Sequence, residues 1–419
     1  MRKTLALLSL GLGISLAEFA GFVWAGVPII PPPALPNNSQ PIPLPVPSVP
    51  PSSPPLQAIA LGTNCTPRKQ CLGWDEQIWG ESGKRGDREA LLAAIDNSLR
   101  FLGTDKAIAA YQNYPIPEIS LDRVRRSLQR FRQLVISCKS PAQLQAAVRR
   151  EFIFYKSVGN DGKGTVKFTA YYEPVYPASR VRTSVYKYPI YRLPTDFERW
   201  AKPHPKRIDL EGKDGLLGDK SPLHGLELFW LRDRLDAYLI HIQGSAQLQL
   251  TDGTRTSVSY AGGTDYPWTS IGKELAKDGK LPLEGLTLPK VIQYFRRHPQ
   301  ELNNYLPRWE RFVFFQETHG SSASGSIGVP VTPERSIATD KSIMPPGALA
   351  VINAVFPYPV KKGKLAFRRV SRFVLDQDTG SAIKGPGRVD YFMGTGQLAG
   401  ARAGITGGNG SLYYLLLKE

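Results

Sequence analysis

The spacing of apolar residues changes character once along this chain, near Gly159, and that change limits the folds open to it. Before it, "DREALLAAIDNSLRFL", "SLDRVRRSLQRFRQLVIS" and "SPAQLQAAVRREFIFY" repeat apolar residues at helical spacing. Residues 87–156 therefore predict helices, the last opened by Ser140 as a cap and Pro141 in the first turn. After it come "TVKFTAYYEPVY", "DAYLIHIQGSAQLQLTDGT", "GALAVINAVF", "RVSRFVLDQDTG" and "SLYYLLLKE". These runs are short and bounded by Gly, Pro, Asp or Asn, which predicts strands. Only "SIGKELAKDG" and "TLPKVIQYFRRHP" read as helices among them. No internal repeat is visible. Helices gathered at one end and strands at the other imply a β-rich barrel rather than a doubly wound sheet.

With 419 residues, 42% hydrophobic and 21% charged, the chain is long enough for two ordinary globular domains. Its formal net charge of +17 favours polyanionic surroundings, whether nucleic acid, a membrane surface or an anionic cell-wall polymer. No zinc-finger spacing, Walker loop or aromatic RNA-recognition signature is present, so nucleic acid is not expected as a partner. Three cysteines and five scattered histidines offer no metal-ligand spacing, and neither metal nor cofactor is expected. Cys65 and Cys71 are close enough to pair around a small loop, leaving Cys138 as a buried thiol.

The N-terminus predicts export. Arg2 and Lys3 precede "TLALLSLGLGISLA", and small residues at Ser15/Ala17 and Val23/Ala25 suit a signal peptidase, giving a signal peptide over 1–25. An uncleaved anchor stays open. No cysteine ends the run, so a lipid-anchored form is not expected and membrane association is peripheral or absent. Residues 28–55 hold 13 of the 36 prolines, which marks 26–62 as an extended linker or a leader with no spacing role.

Three aspartates recur near the end: Asp340 in "SIATDKSIMPPG", Asp378 in "LDQDTGSAIKG" and Asp390 in "RVDYFMGTG". Asp340 and Asp378 read equally well as turn formers. Asp390 is followed by Tyr391, Phe392 and Met393, then Gly394 and Gly396. That setting suits a partly desolvated carboxylate with open backbone beside it.

The run from "GSIGVPVTPERSIATDKSIMPPG" through "LDQDTGSAIKGPGRVDYFMGTGQLAGARAG" resembles the C-terminal three-aspartate (3D) domain of the membrane-bound lytic transglycosylase A (MltA) family. Upstream, "FTAYYEP", "YPIYRLP", "IHIQGSAQLQLTDG", "SYAGGTDYPWTSIGK" and "FVFFQE" match in the same order. The resemblance covers about six-tenths of the chain, from Phe168 onward. It implies a mainly β fold: a double-psi β-barrel domain with an inserted smaller β-barrel. The barrel domain would comprise 63–175, helical and then β, together with the three-aspartate part at 312–419; the insert would span 176–311. It also implies an exported peptidoglycan enzyme of a Gram-negative-type envelope, acting in the periplasm or outer-membrane region. Such an enzyme cuts the β-1,4 MurNAc–GlcNAc bond without water and leaves 1,6-anhydromuramyl ends. Its partners would be glycan strands and other cell-wall enzymes.

The family's single catalytic aspartate falls in a D-x-Y/F-x-G-x-G segment, here Asp390, with Asp378 and Asp340 in support. One carboxyl suffices when the nucleophile is the sugar's own C6 hydroxyl, because the proton given in the first step is recovered in the second. Such an acid needs a raised pKa, which burial beside Tyr391 and Phe392 would provide. Lys384 is expected to face a substrate oxygen or another acid rather than Asp390. Tyr171, Tyr172, Gln243 and Ser245 are candidate sugar contacts, with core and strand positions as the ordinary alternative. Two rivals remain: a non-catalytic peptidoglycan-binding protein and a hydrolytic glycosidase.

Overall fold

The computed structural model describes residues 54–60, 71–80, 85–112, 114–360 and 363–419. The expected signal segment, most of the proline-rich stretch and Cys65 lie outside the described residues. Cys71 is disulfide-bonded and Cys138 is a free buried thiol.

Strand β1 (Leu56–Ile59) precedes four helices: α1 (Arg88–Phe101), α2 (Asp105–Gln112), α3 (Leu121–Ser137) and α4 (Pro141–Glu151). Capping explains where two of them begin. Ser120 accepts from the Arg123 amide at the start of α3, and Ser140 from Gln143 ahead of Pro141 in α4. Helix α4 ends at Glu151, earlier than its apolar spacing suggests, because "FIFYKS" takes up strand β2 (Phe152–Ser157). Aromatic and β-branched side chains fit a pleated surface better than a helix. Strand β3 (Val166–Glu173) follows.

A second unit runs from β4 (Val175–Ser179) through β5 (Tyr188–Tyr191), α5 (Arg207–Glu211), β6 (Glu227–Leu231), α6 (Arg234–Gln243), β7 (Ser245–Leu250) and β8 (Arg255–Gly263). It continues through α7 (Ile271–Lys277), α8 (Leu288–Arg297), α9 (Leu302–Tyr305) and β9 (Val313–Glu317). Its six strands pair in the order β5-β6-β4-β7-β8-β9, and a bridge between Arg192 and Phe315 closes the ring. One expectation fails here: "DAYLIHIQ" is helix α6, not strand. Asp233 caps its start and Gly244, at φ +78°, ends it. A helix buried on most sides shows the same continuous apolar run as a buried strand, so only the caps distinguish the two.

The chain then returns to the first unit with β10 (Ser336–Ala338), β11 (Leu349–Pro359), β12 (Leu365–Asp378), β13 (Arg388–Thr395), α10 (Gln397–Ile405) and β14 (Gly408–Leu417). Strands β14, β11, β12, β10, β13 and β3 pair in that order, and β14 pairs back to β3, which closes a second barrel; β2 and β1 extend it at β14. Phe168, Phe356 and Tyr391 fill its interior, Tyr391 stacking on Phe356 at 4.4 Å between ring centres. Helices α1 to α4 cover the barrel and share its apolar core. A buried ion network adds to this cover: Arg335 on the barrel side binds Asp75 and Asp87 of the N-terminal segment at 2.6 Å each. Among the described residues no helix is long and apolar enough to cross a membrane.

Candidate active site

The parallel pairing of β3 with β13 sets Lys167 opposite Arg388, Thr169 opposite Asp390, Tyr171 opposite Phe392 and Glu173 opposite Thr395. Side chains two residues apart on a strand share a face, so the first three rows form one ladder; after Phe392 the register shifts, and Thr395 meets Glu173 through a 2.7 Å hydrogen bond. Tyr391 points the other way, into the barrel, where its hydroxyl donates to the Glu334 carbonyl at 2.7 Å. It does not shelter Asp390 as the sequence suggested. Phe392 does lie on the Asp390 face, packed against Tyr171 at 5.0 Å and against Ala323 and Val331 of the preceding loop.

The Asp390 carboxylate accepts a 2.6 Å hydrogen bond from the Thr169 hydroxyl. Thr169 in turn accepts from Arg388 at 3.1 Å. Burial pushes the Asp390 carboxyl above its ordinary range, against the opposing pull of Arg388 and Thr169. Past β13, Gly394 takes φ +101°, and Pro333 lies 3.2 Å from where a side chain would begin. Only glycine fits there without strain.

Asp378 ends β12, and its carboxylate accepts from the amides of Ser326 and Thr379 at 2.9 and 2.8 Å. Burial raises its pKa too, opposed first by the Tyr171 hydroxyl. That hydroxyl is buried without a hydrogen bond of ordinary geometry among the described residues, and the charges of both Asp378 and Asp390 act on it. Asp340 has a different office. It accepts from Ser342 at 2.7 Å and from the Gly385 amide at 2.8 Å, tying the "SIMPPG" turn to the loop that feeds β13. Burial would raise its pKa, but those hydrogen bonds outweigh it and the net shift is downward. Lys384 is largely exposed and lies 3.9 Å from Asp340, turned to that acid rather than to Asp390.

The remaining candidates sit at the junction of the barrels. Tyr172 is in the core, 7% exposed, and its amide donates to the Gln243 side chain at 3.1 Å. Ser245 is buried at the start of β7, opposite Ser259.

Two domain families match. The MltA specific insert domain is recognised over residues 167–316 and the 3D domain over 335–416, together more than half of the chain. This chain belongs to the MltA family. It is 32% identical to the membrane-bound lytic murein transglycosylase A of Escherichia coli strain K12 over 248 residues, which cover 59% of this chain and 64% of that protein. The matched segment thus spans just under two thirds of that relative. Its fold is similar to the crystal structure of a membrane-bound lytic murein transglycosylase from Agrobacterium tumefaciens, with a TM-score of 0.63 and 26% identity over 79% of this chain and 93% of that one. It is also similar to E. coli MltA with bound chitohexaose, with a TM-score of 0.59 and 26% identity over 77% and 90% of the two chains.

Beyond Asp340, Asp378 and Asp390, two groups of this MltA-family chain were not singled out from sequence. Thr169 holds Asp390 from a position 221 residues away. Asp376, fully buried, accepts from Thr339 at 2.7 Å and from Tyr414 at 2.6 Å, and pairs with Lys341, which also donates to the Asp378 carbonyl. The signal for Asp376 was present, since it lies two residues before Asp378 on the same strand.

Proposed function

We propose that the protein is a lytic transglycosylase of peptidoglycan, exported to the cell envelope, in which Asp390 serves as general acid and then as general base. The observation that carries the reading is the Asp390 carboxyl itself. It has a raised pKa, and among the described residues its hydrogen-bond partner is the Thr169 hydroxyl rather than a second carboxyl. Asp378 is two strands away, roughly 10 Å from backbone to backbone.

In the first step Asp390 protonates the glycosidic oxygen as the bond from the MurNAc C1 breaks. In the second, the C6 hydroxyl oxygen of the same sugar bonds to C1, and its proton passes to the Asp390 carboxylate. Atoms balance without water, and the acid is regenerated. Tyr171 and Lys384 meet the glycan in this scheme, while Tyr172, Gln243 and Ser245 shape the groove where the barrels join. The larger ring, with its parallel pairs β10–β12 and β3–β13, is the double-psi barrel of the family.

The relatives' names and the chitohexaose complex support the glycan as substrate. Digestion of purified sacculi tests the reaction: the soluble muropeptides should carry 1,6-anhydro ends and weigh one water less than hydrolytic products. Reducing ends would make the protein a hydrolase, and no release would make it a binding protein.

A further inference from the structure

The first row of the ladder takes no proton in the proposed reaction. Lys167 and Arg388 face one another across β3 and β13, one step before the Thr169–Asp390 row and on the same face. One step is two residues, or about 6.6 Å along the strands. Lys273, on helix α7 of the inserted barrel, is the third member and comes close enough to act electrostatically on Lys167. Lys167 and Lys273 are exposed and Arg388 is half-buried, its guanidinium reaching Thr169 and the Lys167 carbonyl.

Among the described residues none of these three cations forms an ion pair. Several cations of the larger barrel are matched: Lys341 with Asp376, Lys384 with Asp340, Arg402 with Glu334, and Arg335 with Asp75 and Asp87. Like charges gathered on one face disfavour one another, and the nearby Asp390 carboxyl acts on Arg388 alone among the three. Lys167 shows this, its pKa pulled down by burial, by Arg388 and by Lys273. An arrangement of this kind is relieved by an anion that enters between the barrels.

We infer that Lys167, Arg388 and Lys273 form a carboxylate-binding site that recognises the acidic peptide carried by the sugar at the cleavage point. The inference rests on the transglycosylase reading and names the part of the substrate that this corner of the groove takes. A separation of one register step from Asp390 is the reach of a substituent on the sugar being cut, not of a sugar further along the strand. Peptidoglycan carries such a substituent, a peptide with free carboxylates joined through the lactyl group. A neutral glycan has none. Two cations come from one barrel and the third from the other, so the anion also bridges the two walls of the groove. Lysine heads suit a carboxylate whose position varies, and the half-buried guanidinium of Arg388 fixes one end of it.

The test compares cleavage of glycan strands bearing their free-acid peptides with that of strands whose peptide carboxylates have been amidated, because stripping by an amidase would leave a lactyl carboxylate on the sugar. Wild type should prefer the free-acid strands about tenfold in kcat/KM, a preference that shrinks at high salt. In Lys167→Gln/Lys273→Gln the ratio should fall toward one, with the loss in KM rather than kcat. Lys273→Gln alone, an exposed change on the other barrel, should give part of the loss, and thermal melts should confirm that both variants are folded. Equal cleavage of the two substrates by wild type, or a ratio unchanged in the double variant, overturns the inference. If wild type releases no anhydro product from either substrate, the transglycosylase reading fails instead. Titration with the free acidic tetrapeptide then decides the anion site by itself: it should bind wild type more tightly than its fully amidated form and than it binds the double variant, and no difference overturns the site.

Discussion

Asp378 and Asp390 both pair with Ala338, one from each side of the short strand β10. Two acids with raised pKa values are thereby kept near one another yet apart, with the Tyr171 hydroxyl under the influence of both. The arrangement separates the proposed proton donor, Asp390, from a carboxylate whose hydrogen bonds go to loop amides. Asp390→Asn should lower turnover on sacculi by about 10²–10⁴-fold while sacculus binding persists. Asp378→Asn and Asp340→Asn should keep partial activity with some loss of stability, since asparagine accepts most of the same hydrogen bonds. Turnover, binding and melting of all three variants make the comparison. A folded but inactive Asp378→Asn beside an active Asp390→Asn would move the acid to the other side of β10.

The raised pKa of Asp390 carries a stability consequence of definite sign. Its carboxyl titrates higher in the fold than in the unfolded chain, so ionisation opposes folding. The associated stability is complete below the ordinary aspartate pKa and is lost as pH rises through the folded value. Asp390→Asn removes that cost. The variant should melt about 2 °C above wild type at pH 8 and level with it near pH 3, a gain typical of active-site residues replaced by neutral ones. A lower melting point at pH 8 would mean that the carboxylate stabilises the site.

Thr169 tunes the same group. Its hydroxyl favours the ionised carboxylate, so Thr169→Val should raise the Asp390 pKa further. The falling alkaline limb of the kcat profile should move to higher pH, with kcat itself reduced as the carboxyl loses its fixed orientation. Thr169→Ser should restore both. An unchanged pH profile in the valine variant would leave Thr169 with a packing role only.

Much of this was legible in the sequence because the signals were local. Ser120, Ser140 and Pro141 mark helix starts through their own side chains, and the aspartate motifs sit in short glycine-rich turns. Helix α6 was misread because a continuous apolar run fits both a buried helix and a buried strand, and Asp233 and Gly244 were the only clues to the difference. The error over Tyr391 could have been avoided: neighbours on a strand point to opposite faces, so Tyr391 and Asp390 could not share one. Thr169 is another matter. A threonine in a strand is commonplace, and its hold on Asp390 depends on the register between β3 and β13, which no local pattern encodes.

Away from the groove floor, Asp236 on α6 supplies a pH-dependent test of the inserted barrel. Burial pushes its carboxyl up to about 7, and the charge of Asp233 adds to the effect, while Arg296 and Arg232 oppose it. Arg296 is shared between the two acids, 3.4 Å from Asp236 and 3.9 Å from Asp233, so neither is fully matched. Because the folded pKa exceeds the unfolded one, the stability linked to Asp236 is complete below pH 4 and lost as pH rises through about 7. Asp236→Asn should therefore be neutral at pH 4, gain stability between pH 4 and 7, and hold a constant advantage above that. The gain is on the order of 4 kcal/mol at most, and less to the extent that the fold relaxes around the charge. Arg296→Gln should act the opposite way, leaving Asp236 opposed by Arg232 alone and deepening the loss above pH 6. Thermal melts of the three proteins from pH 4 to 9 decide the matter. An Asp236→Asn variant less stable than wild type at pH 8 would show that the carboxylate is held favourably by Arg296 after all.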